Sequence, residues 1–256
     1  MKAYCINLDR RADRLQHMIG LLAEQGVVFE RVAAVDGGDP SVADAAAACR
    51  AGMTGSTMSA AAYGCFQSHR EAWCRLLASG ESHAMVLEDD LIVTASFLAY
   101  LAEGWVPVDA DLVKLEANEH RVQLDRGRGL AAYGRRLHRL RSRHAGCGAY
   151  VISAPAAQHL LAATEVITDP VDEALFNDAS PLFGTMVIYQ MVPAPVMQGR
   201  RQEIIAPGWW QESSIDMLRN PNPKRKKGLV VRIQRRLSGE IRALKSGMRY
   251  VLVSFG

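Results

Sequence analysis

Three consecutive carboxylates, Glu88, Asp89 and Asp90, stand inside the run AMVLEDDLIV, whose remaining residues are apolar enough for a buried strand. Desolvated carboxylates need a cation, a metal or several donors beside them. Side chains alternate faces along a strand, so Glu88 and Asp90 share one side and Asp89 points to the other. An acid, any residue and an acid form a compact oxygen pair for a hard divalent ion. Mg2+ or Mn2+ typically keeps several waters and takes one or two carboxylates plus substrate phosphates. The plainer alternative is that these acids cap the next helix or pair with arginines. Further downstream, DPVDEALF offers Asp172 and Glu173 at the start of a short helix, where they also complement the helix dipole.

The elements that must position these groups follow from periodicity. AYCINL reads as a strand, after which Leu15, Met18, Ile19 and Leu22 recur at helical spacing until Gly26. VVFERVAAV is a second strand, closed by the turn DGGDP. Residues 41–57 read as a helical fragment and a loop. A long helix is expected from a cap at Ser59 to a stop at Gly80, with Tyr63, Phe66, Trp73, Leu76 and Leu77 on its apolar face. The acidic strand follows at once. DLVKLE, GAYVIS and GTMVIYQMV are further strands, and APAAQHLLAA is a helix with proline where a first turn tolerates it. Strands alternating with helices predict an α/β domain with a mostly parallel sheet. Ligands bind such sheets beyond the carboxyl ends of the strands, so Asn7 to Arg10 and Glu88 to Asp90 are expected to meet at one rim.

The 256 residues suit one large domain, and no apolar run approaches the length of a membrane span. The N-terminus enters a strand directly, without the apolar core of a signal peptide, so a cytoplasmic location is expected. Five scattered cysteines (Cys5, Cys49, Cys65, Cys74, Cys147) with no CxxC pair are expected to be buried free thiols rather than a disulfide framework or a zinc site.

The ordered blocks INLDRRADR, FERVAAVDG, GCFQSHREAW, MVLEDDLIV, DLVKLE, GAYVISAPAAQHLL and PVDEALF resemble glycosyltransferase family 25. They run from residue 4 to about 176, with weaker likeness on to Gln198. The resemblance implies a GT-A-like nucleotide-sugar-binding sheet, an inverting transfer, a UDP-sugar donor (usually UDP-galactose) and a lipooligosaccharide or related glycan acceptor. It makes Glu88 and Asp90 the metal ligands, for Mn2+ or Mg2+. The first acid here is Glu, longer than the Asp of the common DxD form. It also makes Asn7, Asp9, Arg10, Arg14, Ser68, His69 and Glu88 donor-site residues. Asp9 could equally be a helix cap, the arginines surface groups, and His69 a satisfied core residue. Inverting transfer needs a base on the acceptor hydroxyl. The resemblance favours Asp172 for that role, with Asp89, Asp169 and Glu116 as alternatives.

Two basic regions remain. Residues 126–144 carry seven arginines and two histidines, which suit phosphate oxygens but also a solvated loop. From Pro221 onward ten Lys or Arg face one acid, a charge of +9 against a whole-chain charge of +3, so residues 1–220 carry −6. Val230, Ile233, Leu237, Ile241, Leu244 and Met248 step at helical spacing among those cations. Residues 221–256 are therefore expected to form a basic amphipathic tail that attaches a 1–220 catalytic domain to an anionic membrane surface, the alternative being a helix docked on the body by its apolar stripe with the arginines outward. No recognition motif points to specific nucleic acid binding. The reading from a different class is a non-catalytic, membrane-peripheral or polyanion-binding protein on a degenerate transferase fold.

Overall fold

The computed structural model describes residues 1–49, 58–102, 104–117, 120–199 and 247–256. The chain opens with strand β1 (Lys2–Asn7), helix α1 (Ala12–Ala23), strand β2 (Glu30–Ala33), helix α2 (Pro40–Ala48), helix α3 (Ala60–Ser79) and strand β3 (His83–Glu88). The middle is strand-rich: β4 (Leu91–Val93), a 3-10 turn at Phe97–Leu101, β5 (Leu112–Lys114), β6 (Arg121–Asp125), β7 (Leu130–Ala132), β8 (Arg135–Arg139) and β9 (Ala149–Ser153). There follow helices α4 (Ala154–Ala163), α5 (Val171–Phe176) and α6 (Pro181–Gly184), then strands β10 (Ile188–Val192), β11 (Val196–Gln198) and β12 (Met248–Leu252).

An eight-stranded sheet in the order β2-β1-β3-β9-β5-β10-β8-β7 forms the body. The α/β class holds, but the expected mostly parallel sheet is corrected to a mixed one. β1 runs parallel to β2 and β3, and β10 parallel to β5, whereas the β3/β9, β5/β9, β10/β8 and β7/β8 pairs are antiparallel. The reason lies between residues 89 and 148. A parallel return needs a crossover of a dozen or more residues, usually a helix, and this stretch holds short strands and one 3-10 turn instead. The arginine-rich segment, open to reading as a loop, contributes β7 and β8.

Two apolar layers enclose the sheet. On one side Phe66, Trp73 and Leu76 of α3 pack with Tyr4, Val86, Tyr150 and α4. On the other, Met18 and Leu22 of α1 pack with Cys5, Met85, Leu87, Phe97 and Tyr100. The predicted face of α1 is shifted, since Arg14 is buried with Met18 and Leu22 while Ile19 is 42% exposed. Helix α3 starts and stops where its sequence signals lie: Ser59 accepts from the Ala62 N–H, and Gly80 has the left-handed φ of 71°. Helix α3 also packs unusually close to the loop after β2. A Cβ on Gly64 would lie 2.4 Å from the Val35 carbonyl oxygen, and one on Gly37 would lie 2.5 Å from the Ala61 nitrogen.

The tail reading is corrected at its far end. Met248 opens a strand, β12, which pairs antiparallel with β6, and Phe255 bridges to Ala194. A ladder partner supplied by β6 prevails over the helical spacing there. Residues 221–246, with the rest of the amphipathic pattern, lie outside the described residues. Among the described residues no helix is long and apolar enough to cross a membrane. The described cysteines are all free, but only Cys5 and Cys147 are buried, and Cys74 is exposed.

Candidate active site

The run AMVLEDDLIV is not one strand. β3 ends at Glu88, Asp89 and Asp90 form a bend, and β4 continues in a separate two-stranded sheet with β11. Breaking the ladder at the acids spares them the middle of a buried sheet. β1 is parallel to β3 with Ile6 opposite Glu88, so the ends of both strands open on one rim, as the sequence predicts. There a cleft of about 130 Å3 is lined by Arg10, Arg14, Val35, Asp36, Cys65, Ser68 and all three acids, among others.

The three acids have divided roles. Asp89 is held on both oxygens: the Asn7 amide donates to Oδ2 at 2.8 Å and Arg14 Nη1 donates to Oδ1 at 3.1 Å. Arg14 is also 3.9 Å from Asp90 Oδ2. Asp90 Oδ1, by contrast, is buried without a hydrogen-bond partner among the described residues. Glu88 accepts a long bond from Gln198 Nε2 at 3.4 Å and lies 3.5 Å from His69 Nε2. Burial, and then the neighbouring Glu116, Asp89 and Asp172, push the Glu88 carboxyl up to about 7. Burial and then Glu88 push Asp90 up to about 7 as well, with Arg14 opposing. Two buried acids side by side thus resist ionising together.

Near Glu88 lie Glu116, an alternative base of the sequence reading, and Lys114, to which that reading gave no role. Lys114 and Glu116, alternate residues at the end of β5, are fully buried and 3.4 Å apart. Lys114 donates to the Gly146 carbonyl and stands 4.1 Å over the Phe176 ring. Glu116 Oε2 accepts from the Gly148 N–H at 3.1 Å. The turn between them is closed by Asp172, whose Oδ2 accepts from the Gly146 N–H at 3.0 Å. Gly146 has a φ of 91°, and a Cβ there would lie 2.9 Å from Glu116 Oε1, so this turn requires glycine. A lysine and a glutamate at period two inside DLVKLE were the available signal, because charges on an otherwise apolar strand need each other.

The remaining predicted residues separate. Ser68 is fully buried, accepts from the Val35 N–H at 2.9 Å and donates to the Gly64 carbonyl at 2.7 Å, so it fastens α3 to the loop that walls the cleft. His69 is fully buried, with Nδ1 3.0 Å from the Tyr150 hydroxyl, which also accepts from Trp73. Burial lowers its pKa to about 3, so the ring is neutral. Arg10 lines the cleft and donates to Asp36 at 2.6 Å. Asn7 accepts from Arg31 at 3.0 Å and spends its amide on Asp89 and the Arg11 carbonyl. The Asp9 side chain is 82% exposed and paired with Arg31, away from the cleft lining. Of the alternative bases, Glu116 belongs to the Lys114 pair, and Asp169 is buried and accepts from Thr168 at 2.9 Å.

Residues 1–175 match glycosyltransferase family 25, described as LPS biosynthesis proteins. The chain belongs to that family. Among its relatives, the lacto-N-neotetraose biosynthesis glycosyltransferase LgtB of Neisseria gonorrhoeae is 29% identical over 206 residues, covering 76% of this chain and 73% of LgtB. LgtB of Neisseria meningitidis serogroup B is also 29% identical over 206 residues, covering 76% and 74%. The lipooligosaccharide biosynthesis protein lex-1 of Haemophilus influenzae is 24% identical over 196 residues, covering 71% and 63%. The matched span of this family 25 glycosyltransferase contains Asn7 to Arg14, Ser68, His69, the acidic bend, the Lys114 pair and Asp172. β10, β11 and β12 lie beyond it.

Proposed function

We propose that this glycosyltransferase moves a sugar, galactose from UDP-galactose, onto a lipooligosaccharide or related glycan with inversion at the anomeric carbon, and that Glu88 and Asp90 hold Mn2+ or Mg2+. The observation that carries the reading is the Glu88/Asp90 pair: both acids line one cleft, and Asp90 Oδ1 is buried without a partner among the described residues. That donor set, all oxygen and at a strand end, fits a hard divalent ion. When bound, the ion supplies positive charge against the diphosphate leaving group.

The chain's own residues do the rest. Asp89, with both oxygens committed to Asn7 and Arg14, fixes the bend that carries Glu88 and Asp90, and Arg14 adds positive charge beside Asp90. Asp172 is assigned as the base. It is half-buried, one oxygen is anchored by Gly146, and it is near enough for its charge to act on Glu88 and His69, although it is not among the residues lining the cleft. The other oxygen takes the acceptor hydroxyl's proton as that oxygen attacks the sugar. Arg10 and Arg14, on the cleft wall, suit diphosphate oxygens.

The testing experiment is hydrolysis and transfer with a panel of UDP-sugars, with Mn2+ and with EDTA, followed by NMR of the product anomer. Metal-dependent turnover of UDP-galactose with an inverted product is expected. Turnover that EDTA leaves unchanged would overturn the metal role, and preference for another sugar would overturn the donor.

A further inference from the structure

The sequence contains no zinc-type spacing, yet the fold brings a thiol, an imidazole and a carboxylate together. Cys65 and His69 are one turn apart on α3, and they face the end of β3. One ligand atom from each of Cys65, His69 and Glu88 lies within 4.8 Å of the others, and His69 Nε2 is 3.5 Å from Glu88 Oε1. Nε2 is buried with no hydrogen-bond partner among the described residues, in a side chain with no exposed surface. The same ring is fixed on its other edge by Tyr150, itself held by Trp73, and His69 stacks on Tyr150 with centroids 5.7 Å apart. An imidazole with one nitrogen tied to a hydroxyl and the other aimed at a carboxylate has the outer partner that metal-bound histidines use. Cys65 and Glu88 both line the cleft, so an ion has a way in.

We propose that Cys65, His69 and Glu88 form a binding site for a borderline-soft divalent ion, Zn2+ in chemical class, which shares Glu88 with the oxygen-only pair of Glu88 and Asp90. Sulfur and imidazole nitrogen select zinc over magnesium or manganese, whereas Asp90 adds only oxygen. A tetrahedral zinc site separates its donors by roughly 3.3–3.6 Å. The His69–Glu88 pair already meets this, and the other separations, at most 4.8 Å, need to close by no more than about 1.5 Å through rotation of the Cys65 and Glu88 side chains. On binding, the Cys65 thiol loses its proton to solvent, the neutral His69 gives the Nε2 lone pair, and the fourth position stays with water.

The test is a Co2+ titration of the metal-free, tag-free full chain, read by absorption without any substrate, so it stands whether or not the donor assignment holds. One equivalent is expected to give a thiolate-to-cobalt band in the near ultraviolet with intense visible absorption, and stoichiometric Zn2+ should bleach both. Cys65→Ser should remove the near-ultraviolet band, and His69→Gln should weaken Zn2+ binding by more than about tenfold, the loss that even an outer partner's removal causes. Asp90→Asn should leave the spectrum unchanged. A wild-type spectrum that is weak and without the thiolate band overturns the site with no variant needed. A band that survives Cys65→Ser, and so belongs to another cysteine, also overturns it.

Discussion

A carboxyl that ionises near pH 7 ties the candidate site to the stability of the whole protein. Unfolded, Glu88 and Asp90 lose their protons near their ordinary values of 4.5 and 3.8, but folded they keep them until about 7. Between those limits the unfolded chain binds fewer protons, so stability of the metal-free protein falls as pH rises through that window. The depressed acids, such as Asp13 at about 2, act at lower pH. Asp90→Asn is therefore expected to flatten the decline in melting temperature between pH 5 and pH 8, and to be more stable than wild type at pH 8. Parallel melting curves for the two proteins would contradict the shift. On the proposed function, Mn2+ at pH 8 should raise the melting temperature of the wild type and not of this variant. Asp172→Asn keeps an acceptor for the Gly146 N–H, so its fold and melting temperature should persist. Its kcat should fall about 10²–10⁴-fold, the range for loss of a general base. Loss of kcat together with the fold would assign Asp172 to structure alone.

The tightest joint between elements is that of α3 with the loop after β2. Gly64→Ala would place a methyl 2.4 Å from the Val35 carbonyl, against backbone that cannot rotate away. Alanine's better helix propensity is worth about 1 kcal/mol, and overpacking costs about 1–3 kcal/mol. A net loss of stability is expected in urea unfolding, along with weaker donor binding, because Ser68 and Val35 move with the joint. Unchanged stability would mean that α3 can slide. Removing the cap with Ser59→Ala should cost about 1 kcal/mol, with little effect on the cleft. At this scale the sequence was legible where local rules decide. Ser59 and Gly80 marked the ends of α3, whereas strand alternation does not carry through the acids, because β3 ends at Glu88 and all three acids line one cleft. It was opaque where partners are distant in the chain. The Arg141–Asp125 and Arg143–Glu173 pairs, 16 and 30 residues apart in the chain, become neighbours only after the sheet is built. The arginines therefore looked like solvated charge.

Across the whole molecule, charge is segregated, with +9 on residues 221–256 and −6 on the rest. The proposal that this basic region meets an anionic membrane is best tested without disturbing β12, which is part of the body. Replacing Lys224, Arg225, Lys226 and Lys227 with glutamine should reduce sedimentation with vesicles containing anionic lipid and leave turnover of a soluble acceptor unchanged. About 1 kcal/mol per basic residue near the surface makes four replacements a large effect. Equal sedimentation would remove the membrane from the account.

The pairing of β12 with β6 also sets an order of events during synthesis. Arg121 meets the carbonyl of Tyr250, 129 residues later in the chain, so β6 must wait through the translation of everything between before its partner exists. During that wait, Val122 and Leu124, fully buried in the finished protein, belong to an incomplete hydrophobic cluster beside an open strand edge. Nascent chains in this state invite pairing with a neighbour. Slow translation between β6 and β12 prolongs the exposure of that edge.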